Sequence, residues 1–231
     1  MSEKTGKKVK SSEPSAIGKF YLIAYNGVQT AGWSYLLWQT LTHFLNRGTL
    51  DTFWNEINST VVIFQTAAVL EVLHAAIGLV PSGVFVTLAQ VYSRVFLVWG
   101  ALLATQGATV SPGLPLCILA WSITESIRYA YYALNLVKAV PSWLLTLRYS
   151  TFLVLYPLGV TGELLCMYHS LDEILANKIW TVSMPNSWNF SFNYYYFLQF
   201  YMFLYLPLFP VLFGHMMSQR KKMLSKEKKT K

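Results

Sequence analysis

Seven ionisable side chains stand inside otherwise apolar stretches of this 231-residue chain: Glu71, His74, Arg94, Glu125, Arg128, Arg148 and Glu163. A charge at the centre of a bilayer costs about 3 kcal/mol on insertion scales, so each such group needs a partner, water or a ligand. Arginine does not shed its proton in proteins, and Arg94, Arg128 and Arg148 must therefore pair with carboxylates or meet an anion. Glu125 and Arg128, three residues apart, are neighbours on a helix face and read as an internal ion pair. Glu71 and His74 have the same spacing and read as structural hydrogen-bonding residues. Glu163 is different, with no basic residue within four positions of it; Tyr156 precedes it by seven, two helical turns away on the same face. A carboxyl and a phenol aimed at one cavity can divide the acceptor and donor roles of a proton-transfer reaction. With fifteen tyrosines in the chain, the spacing alone does not single this pair out.

The elements that must position these groups are apolar helices. The chain is 54% hydrophobic and 12% charged, about half the charge of an ordinary soluble domain, with a mean hydropathy of +0.39. A bilayer core needs about 20 mostly apolar residues per helix, and six such stretches are present: 20–45, 61–80, 84–105, 114–137, 143–168 and 194–217. Pro81 to Gly83, Ser111 to Gly113, and Pro141 separate several of them. The pattern predicts an all-α integral membrane protein, with six transmembrane helices in one bundle over 20–217 and basic tails at 1–19 and 218–231.

The net charge of +8 is concentrated at the ends: residues 1–19 carry +3 and residues 220–231 carry +6, leaving −1 for the 200 residues between. A nucleic-acid surface would need basic residues along the body, so that class is excluded. The tails and Lys138 face the cytosol by the positive-inside rule, with Arg47 and Lys178 opposite, and an even number of spans is consistent with both termini being cytosolic. The triplets at Asn58 and Asn189 that resemble glycosylation acceptors then fall on the far side. Cys117 and Cys166 lie in apolar runs without metal-ligand spacing and read as buried small hydrophobes. The aromatic-rich 194–209 reads as a lipid-facing packing helix. Neither a Gly-rich phosphate loop nor a metal-ligand cluster stands out, and no cofactor is expected.

The stretch RYSTFLVLYPLGVTGELL, ending at Leu165, resembles the very-long-chain (3R)-3-hydroxyacyl-CoA dehydratases of the endoplasmic reticulum, which act third in the fatty-acid elongation cycle. LEVLHAAIGLVPS (70–82), SRVFLVWG (93–100), WSITESIRY (121–129), MPNSWNFSF (184–192) and HMMSQRKK (215–222) extend the resemblance over about 21–222, in order. It implies a six-helix lyase whose catalytic pair, in the pattern YPxGVxxE, falls on Tyr156 and Glu163. It implies a small residue at Gly159, either because the thioester passes close to the backbone or because helices pack there. Arg94, Arg128 and Arg148 are candidates for the coenzyme A phosphates or for pairing with Glu71 and Glu125, Arg148 being the best placed for phosphate. The implied partners are the 3-hydroxyacyl-CoA substrate, the lipid bilayer, the elongase condensing enzyme, the ketoacyl-CoA reductase and the enoyl-CoA reductase.

The same family has been described as tyrosine-phosphatase-like, which is chemically testable. A cysteine phosphatase needs H-C-x-x-G-x-x-R, a thiolate nucleophile and an Arg clamp. The window here reads His74-Ala75-Ala76-Ile77-Gly78-Leu79-Val80-Pro81, so both the nucleophile and the clamp are absent. Dehydration needs a base for the C2 proton and an acid for the departing C3 hydroxyl; Tyr156 and Glu163 can divide these in either order. A straight, upright fifth span starting at Trp143 would put them roughly 20 and 30 Å below its cytosolic end, unless Pro157 kinks the helix. Lys228 and Lys229 resemble a dilysine retrieval signal, or a basic flank for anionic headgroups. A catalytically inactive membrane adaptor for elongase or trafficking partners is the competing class; a small transporter is disfavoured for want of an inverted repeat.

Overall fold

The computed structural model describes residues 15–230, and these are helical throughout apart from turns and one isolated antiparallel bridge between Val182 and Phe192. The helices are α1 (Ala16–Leu45), α2 (Leu50–Ala67), α3 (Val69–Ala76), α4 (Val84–Leu97), α5 (Gln106–Thr109), α6 (Gly113–Leu136), α7 (Ser142–Ser150), α8 (Phe152–Asn177) and α9 (Tyr194–Thr230). A π-helical segment, Val98–Leu102, continues α4. Among the described residues, four helical stretches are long and apolar enough to cross a membrane: 50–76, 84–102, 152–177 and 194–223. The chain is thus an all-α membrane protein. The N-terminal tail falls outside the described residues up to position 14; its last residues open α1, where the Ser15 hydroxyl accepts from the Gly18 amide.

Several boundaries differ from those that apolar runs predict. The second helical stretch begins at Leu50, eleven residues before Val61, because polar residues such as Asn55, Glu56 and Asn58 continue the helix without being apolar. Asn58 consequently lies inside α2, while Asn189 is exposed in the α8–α9 loop. The second stretch ends at Ala76, where Gly78 takes a left-handed φ of 72° in the following turn. The fifth stretch is interrupted at Thr151, between α7 and α8 and six residues before Pro157; there the Val154 amide bonds Thr151 O at 3.2 Å. Thr151 itself keeps right-handed helical dihedrals, and Tyr156 is the fifth residue of α8. The basic C-terminal segment continues α9 as helix.

α6 is the central element, packing against α1 on one side and α8 on the other, while α9 lies against α8 and α7. The core is built from Trp33, Leu36, Phe53, Ile57, Leu97, Ile118, Tyr129, Met167 and their neighbours. Outside it, α9 presents Phe200, Phe203, Leu206 and Val211 outward, as a helix facing lipid should.

Candidate active site

Two glycines set the closest approach in the molecule's centre. A Cβ at Gly162 of α8 would stand 2.5 Å from the Cys117 amide nitrogen and 2.6 Å from the Gly113 carbonyl oxygen of α6, so only glycine allows the crossing. Cys117 and Cys166 are fully buried beside it. One turn beyond Cys117, the crossing carries Trp121 to the residue after Gly162: Trp121 Nε1 donates to Glu163 Oε1 at 2.9 Å. The Tyr205 hydroxyl, from α9, donates to Glu163 Oε2 at 2.8 Å. Glu163 is only 6% exposed and has no cation bonded to it among the described residues.

Tyr156 lies two turns earlier on α8, half-buried, its ring stacked on Phe209 with centroids 5.1 Å apart and on Phe213 at 6.3 Å. Its hydroxyl forms no hydrogen bond among the described residues, so the phenol in direct contact with Glu163 is Tyr205. Gly159, between the pair, is less constrained than Gly162: a Cβ there would meet only Ala120 Cβ, at an ordinary 3.4 Å.

The other buried ionisable groups close a network of their own. Arg128 clamps Glu71 with two bonds, Nη1 to Oε2 at 2.9 Å and Nη2 to Oε1 at 2.7 Å, and donates from Nε to Glu125 Oε2 at 2.7 Å. Arg94 completes it by bonding Glu125 Oε1, and the Tyr129 hydroxyl donates to Glu71. Glu125 and Arg128 are paired as their spacing suggests, while Glu71 and His74 are both hydrogen-bonded but to different partners, His74 Nε2 meeting the Tyr21 hydroxyl at 2.9 Å. Two arginines and two glutamates thus neutralise one another across α3, α4 and α6.

Arg148, on α7, stands apart. Its guanidinium lies over the Tyr132 and Tyr149 rings at 5.8 and 5.7 Å, and Nη2 donates to the Tyr132 hydroxyl at a long 3.4 Å. Its buried Nε has no partner among the described residues. The nearby Arg220 Nε donates to Ser150 at 3.3 Å, adding a second cation to this end of the bundle.

Sequence reading singled out neither Trp121 nor Tyr205. A buried indole N–H in a span needs an acceptor, and few exist, which was a usable signal for Trp121. Tyr205 had no such signal; its segment is only partly exposed, and it supplies Tyr205, Phe209 and Phe213 to the site. A separate cleft of about 500 Å³ lies at the α1–α2 turn, where His43 bridges Glu56 Oε2 and Thr49 O at 2.9 Å each. Among the described residues no three His, Cys, Asp or Glu side chains gather as a metal site would require.

Comparison with known proteins places this geometry in context. The family model described as "Protein tyrosine phosphatase-like protein, PTPLA" matches residues 65–226. The chain is 42% identical over 216 residues to the very-long-chain (3R)-3-hydroxyacyl-CoA dehydratase 2 of Mus musculus, covering 94% of this chain and 85% of the mouse protein. It is 46% identical over 212 residues to the Caenorhabditis elegans very-long-chain (3R)-3-hydroxyacyl-CoA dehydratase hpo-8, covering 91% and 97% of the two chains. A rice protein, very-long-chain (3R)-3-hydroxyacyl-CoA dehydratase PASTICCINO 2A, is 39% identical over 215 residues, covering 93% and 97%. No solved structure is significantly similar.

Proposed function

The chain belongs to the protein tyrosine phosphatase-like PTPLA family, and from that premise we propose that it dehydrates (3R)-3-hydroxyacyl-CoA to trans-2-enoyl-CoA in very-long-chain fatty-acid elongation. It is a hydro-lyase and not a phosphatase: the phosphatase window has Ala75, buried in α3, where the nucleophile would be. The observation that carries the site is the buried Glu163 carboxyl, held by two donors and two turns from a phenol whose hydroxyl has no partner among the described residues.

Glu163 is the base in this scheme. The Trp121 N–H can only donate, so Glu163 Oε1 is an acceptor there, and the Tyr205 hydroxyl donates to the other oxygen. That environment suits a carboxylate, which takes the C2 proton. The electrons of the C2–H bond become the C2=C3 double bond as the C3–O bond breaks, and the Tyr156 hydroxyl gives its proton to the departing oxygen, releasing water. Transfer of the proton from Glu163 to the Tyr156 phenolate restores both groups. The thioester carbonyl carries developing negative charge during proton removal.

Arg148 binds the coenzyme A phosphates, since its Nε is unpaired and it has no carboxylate partner among the described residues, whereas Arg94 and Arg128 are engaged by Glu71 and Glu125. Gly159 keeps α8 narrow where the acyl thioester lies between the pair. The six spans of the bundle are α1, α2 with α3, α4 with its π-helical continuation, α6, α7 with α8, and α9, with both termini in the cytosol. The protein resides in the endoplasmic-reticulum membrane, beside the elongase condensing enzyme and the two reductases.

The test is turnover of 3-hydroxyacyl-CoA of several chain lengths by the purified protein, with Tyr156→Phe and Glu163→Gln as controls. Each substitution should lower kcat by about 100-fold or more. Full activity in either variant removes that residue from the mechanism, and a folded wild-type protein without turnover favours the inactive adaptor.

A further inference from the structure

Both oxygens of the Glu163 carboxyl are occupied by side chains from outside its own helix. Trp121 reaches Oε1 from α6 and Tyr205 reaches Oε2 from α9, each 42 residues away in sequence. A carboxylate offers about four lone-pair positions, so one donor on each oxygen leaves each with a free position. Terminal rotation of a glutamate is otherwise soft; two bonds from two different helices fix the carboxylate plane against α8. Both donors are themselves held. Trp121 is 4% exposed at the α6–α8 crossing, and the Tyr205 ring sits edge-on to Tyr201 at 5.7 Å. The segment of α9 that carries Tyr205 goes on to Phe209 and Phe213, which stack on Tyr156. One helix thus holds the base through a hydroxyl and the acid through aromatic faces.

We propose that Trp121 and Tyr205 are positioning residues that hold the Glu163 carboxylate in the orientation from which it takes the C2 proton, with α9 setting the relative placement of the two catalytic groups. The inference rests on the reading of Glu163 as the base. Neither residue touches the substrate in this scheme; each acts through Glu163. A misorientation of about 1 Å in a proton-transfer group costs on the order of 100-fold in rate, which is the scale on which loss of one anchor should register.

The experiment uses the full-length protein purified in detergent, with Tyr205→Phe, Trp121→Phe and Trp121→His. Tyr205→Phe keeps the ring and its contact with Tyr201 and removes only the hydroxyl. Trp121→His keeps a ring N–H that can donate. Activity is measured with 3-hydroxyacyl-CoA and with the same substrate deuterated at C2. For Tyr205→Phe, kcat should fall on the order of 10- to 100-fold while KM stays within about twofold. Its C2 isotope effect should be at least as large as that of the wild type, because the loss falls on proton removal. Trp121→Phe should lose activity similarly, and Trp121→His should recover part of it. A wild-type kcat in Tyr205→Phe, or a loss accompanied by an isotope effect that shrinks toward one, overturns the proposal. Glu163→Gln separates the two levels: if it is inactive while Tyr205→Phe is fully active, the positioning role fails and the base stands. If Glu163→Gln is fully active, the base itself is wrong.

Discussion

Replacing Gly162 by alanine adds one methyl at the tightest point between α6 and α8. That methyl would lie 2.5 Å from the Cys117 amide nitrogen, 2.6 Å from the Gly113 carbonyl and 2.9 Å from Cys117 Cβ, and two of these three contacts are with backbone. Carbon contacts relax at about 3.5 Å or more, so the helices must part by roughly 1 Å. The Trp121 to Glu163 bond, now 2.9 Å, would stretch beyond hydrogen-bonding range one turn away. Overpacking of this kind costs about 1–3 kcal/mol, and loss of a hydrogen bond to a carboxylate about 1.5–3 kcal/mol more. Activity should fall by on the order of 100-fold, the usual effect of displacing a catalytic group by about 1 Å. For stability, Gly159→Ala is the internal control, since its methyl meets only Ala120 Cβ at 3.4 Å. Its melting temperature should hold or rise, alanine being the better helix former. Thermal melts of the purified variants, paired with enoyl-CoA formation per folded molecule, give both readouts. Wild-type stability and turnover in Gly162→Ala, or an equal loss of stability in Gly159→Ala, would refute the close-crossing argument.

The remaining expectations concern the charges. Glu125→Gln leaves Arg94 and Arg128 short of a buried counter-charge, and should cost about 3–5 kcal/mol, read as a melting temperature lower by roughly 10 °C; an unchanged melt would show the network to be dispensable. Arg148→Ala should raise the KM for acyl-CoA by about 10-fold, the worth of a charge-assisted hydrogen bond, with kcat within about threefold; an unaltered KM removes Arg148 from phosphate binding. Ala75→Cys should release no phosphate from an aryl phosphate, because Pro81 still stands where the clamp would be. Phosphate release by that variant would show that the fold supports the chemistry without an arginine.

What the sequence disclosed follows the reach of its patterns. Glu125 and Arg128 were legible as a pair because helix geometry relates positions three apart. The partners of that pair, Arg94 at 31 residues' distance and Glu71 at 57, depend on which helices become neighbours, and no local rule supplies that. Helix types were legible and helix ends less so. Apolar runs report where hydrocarbon is tolerated, whereas α2 extends through Asn55, Glu56 and Asn58 because its backbone bonds continue there. Proline was a poor guide to the break in the fifth stretch, which lies at Thr151, and α9 runs on through Pro207 and Pro210. Gly159 is marked by the family resemblance, yet Gly162 bears the tighter constraint, visible only when α6 is laid against α8.

The four-charge network also imposes an order on biosynthesis. Glu71 and Arg94 lie on α3 and α4, so both leave the ribosome before α6 delivers Glu125 and Arg128. Until then neither has the partner it bonds in the folded chain, and an unpaired charge is disfavoured in hydrocarbon by about 3 kcal/mol. The early helices are therefore poor membrane residents by themselves, and a nascent chain halted ahead of α6 should linger at the insertion channel. Emergence of α6 gives Glu71 and Arg94 the partners they bond in the folded chain, Arg128 and Glu125.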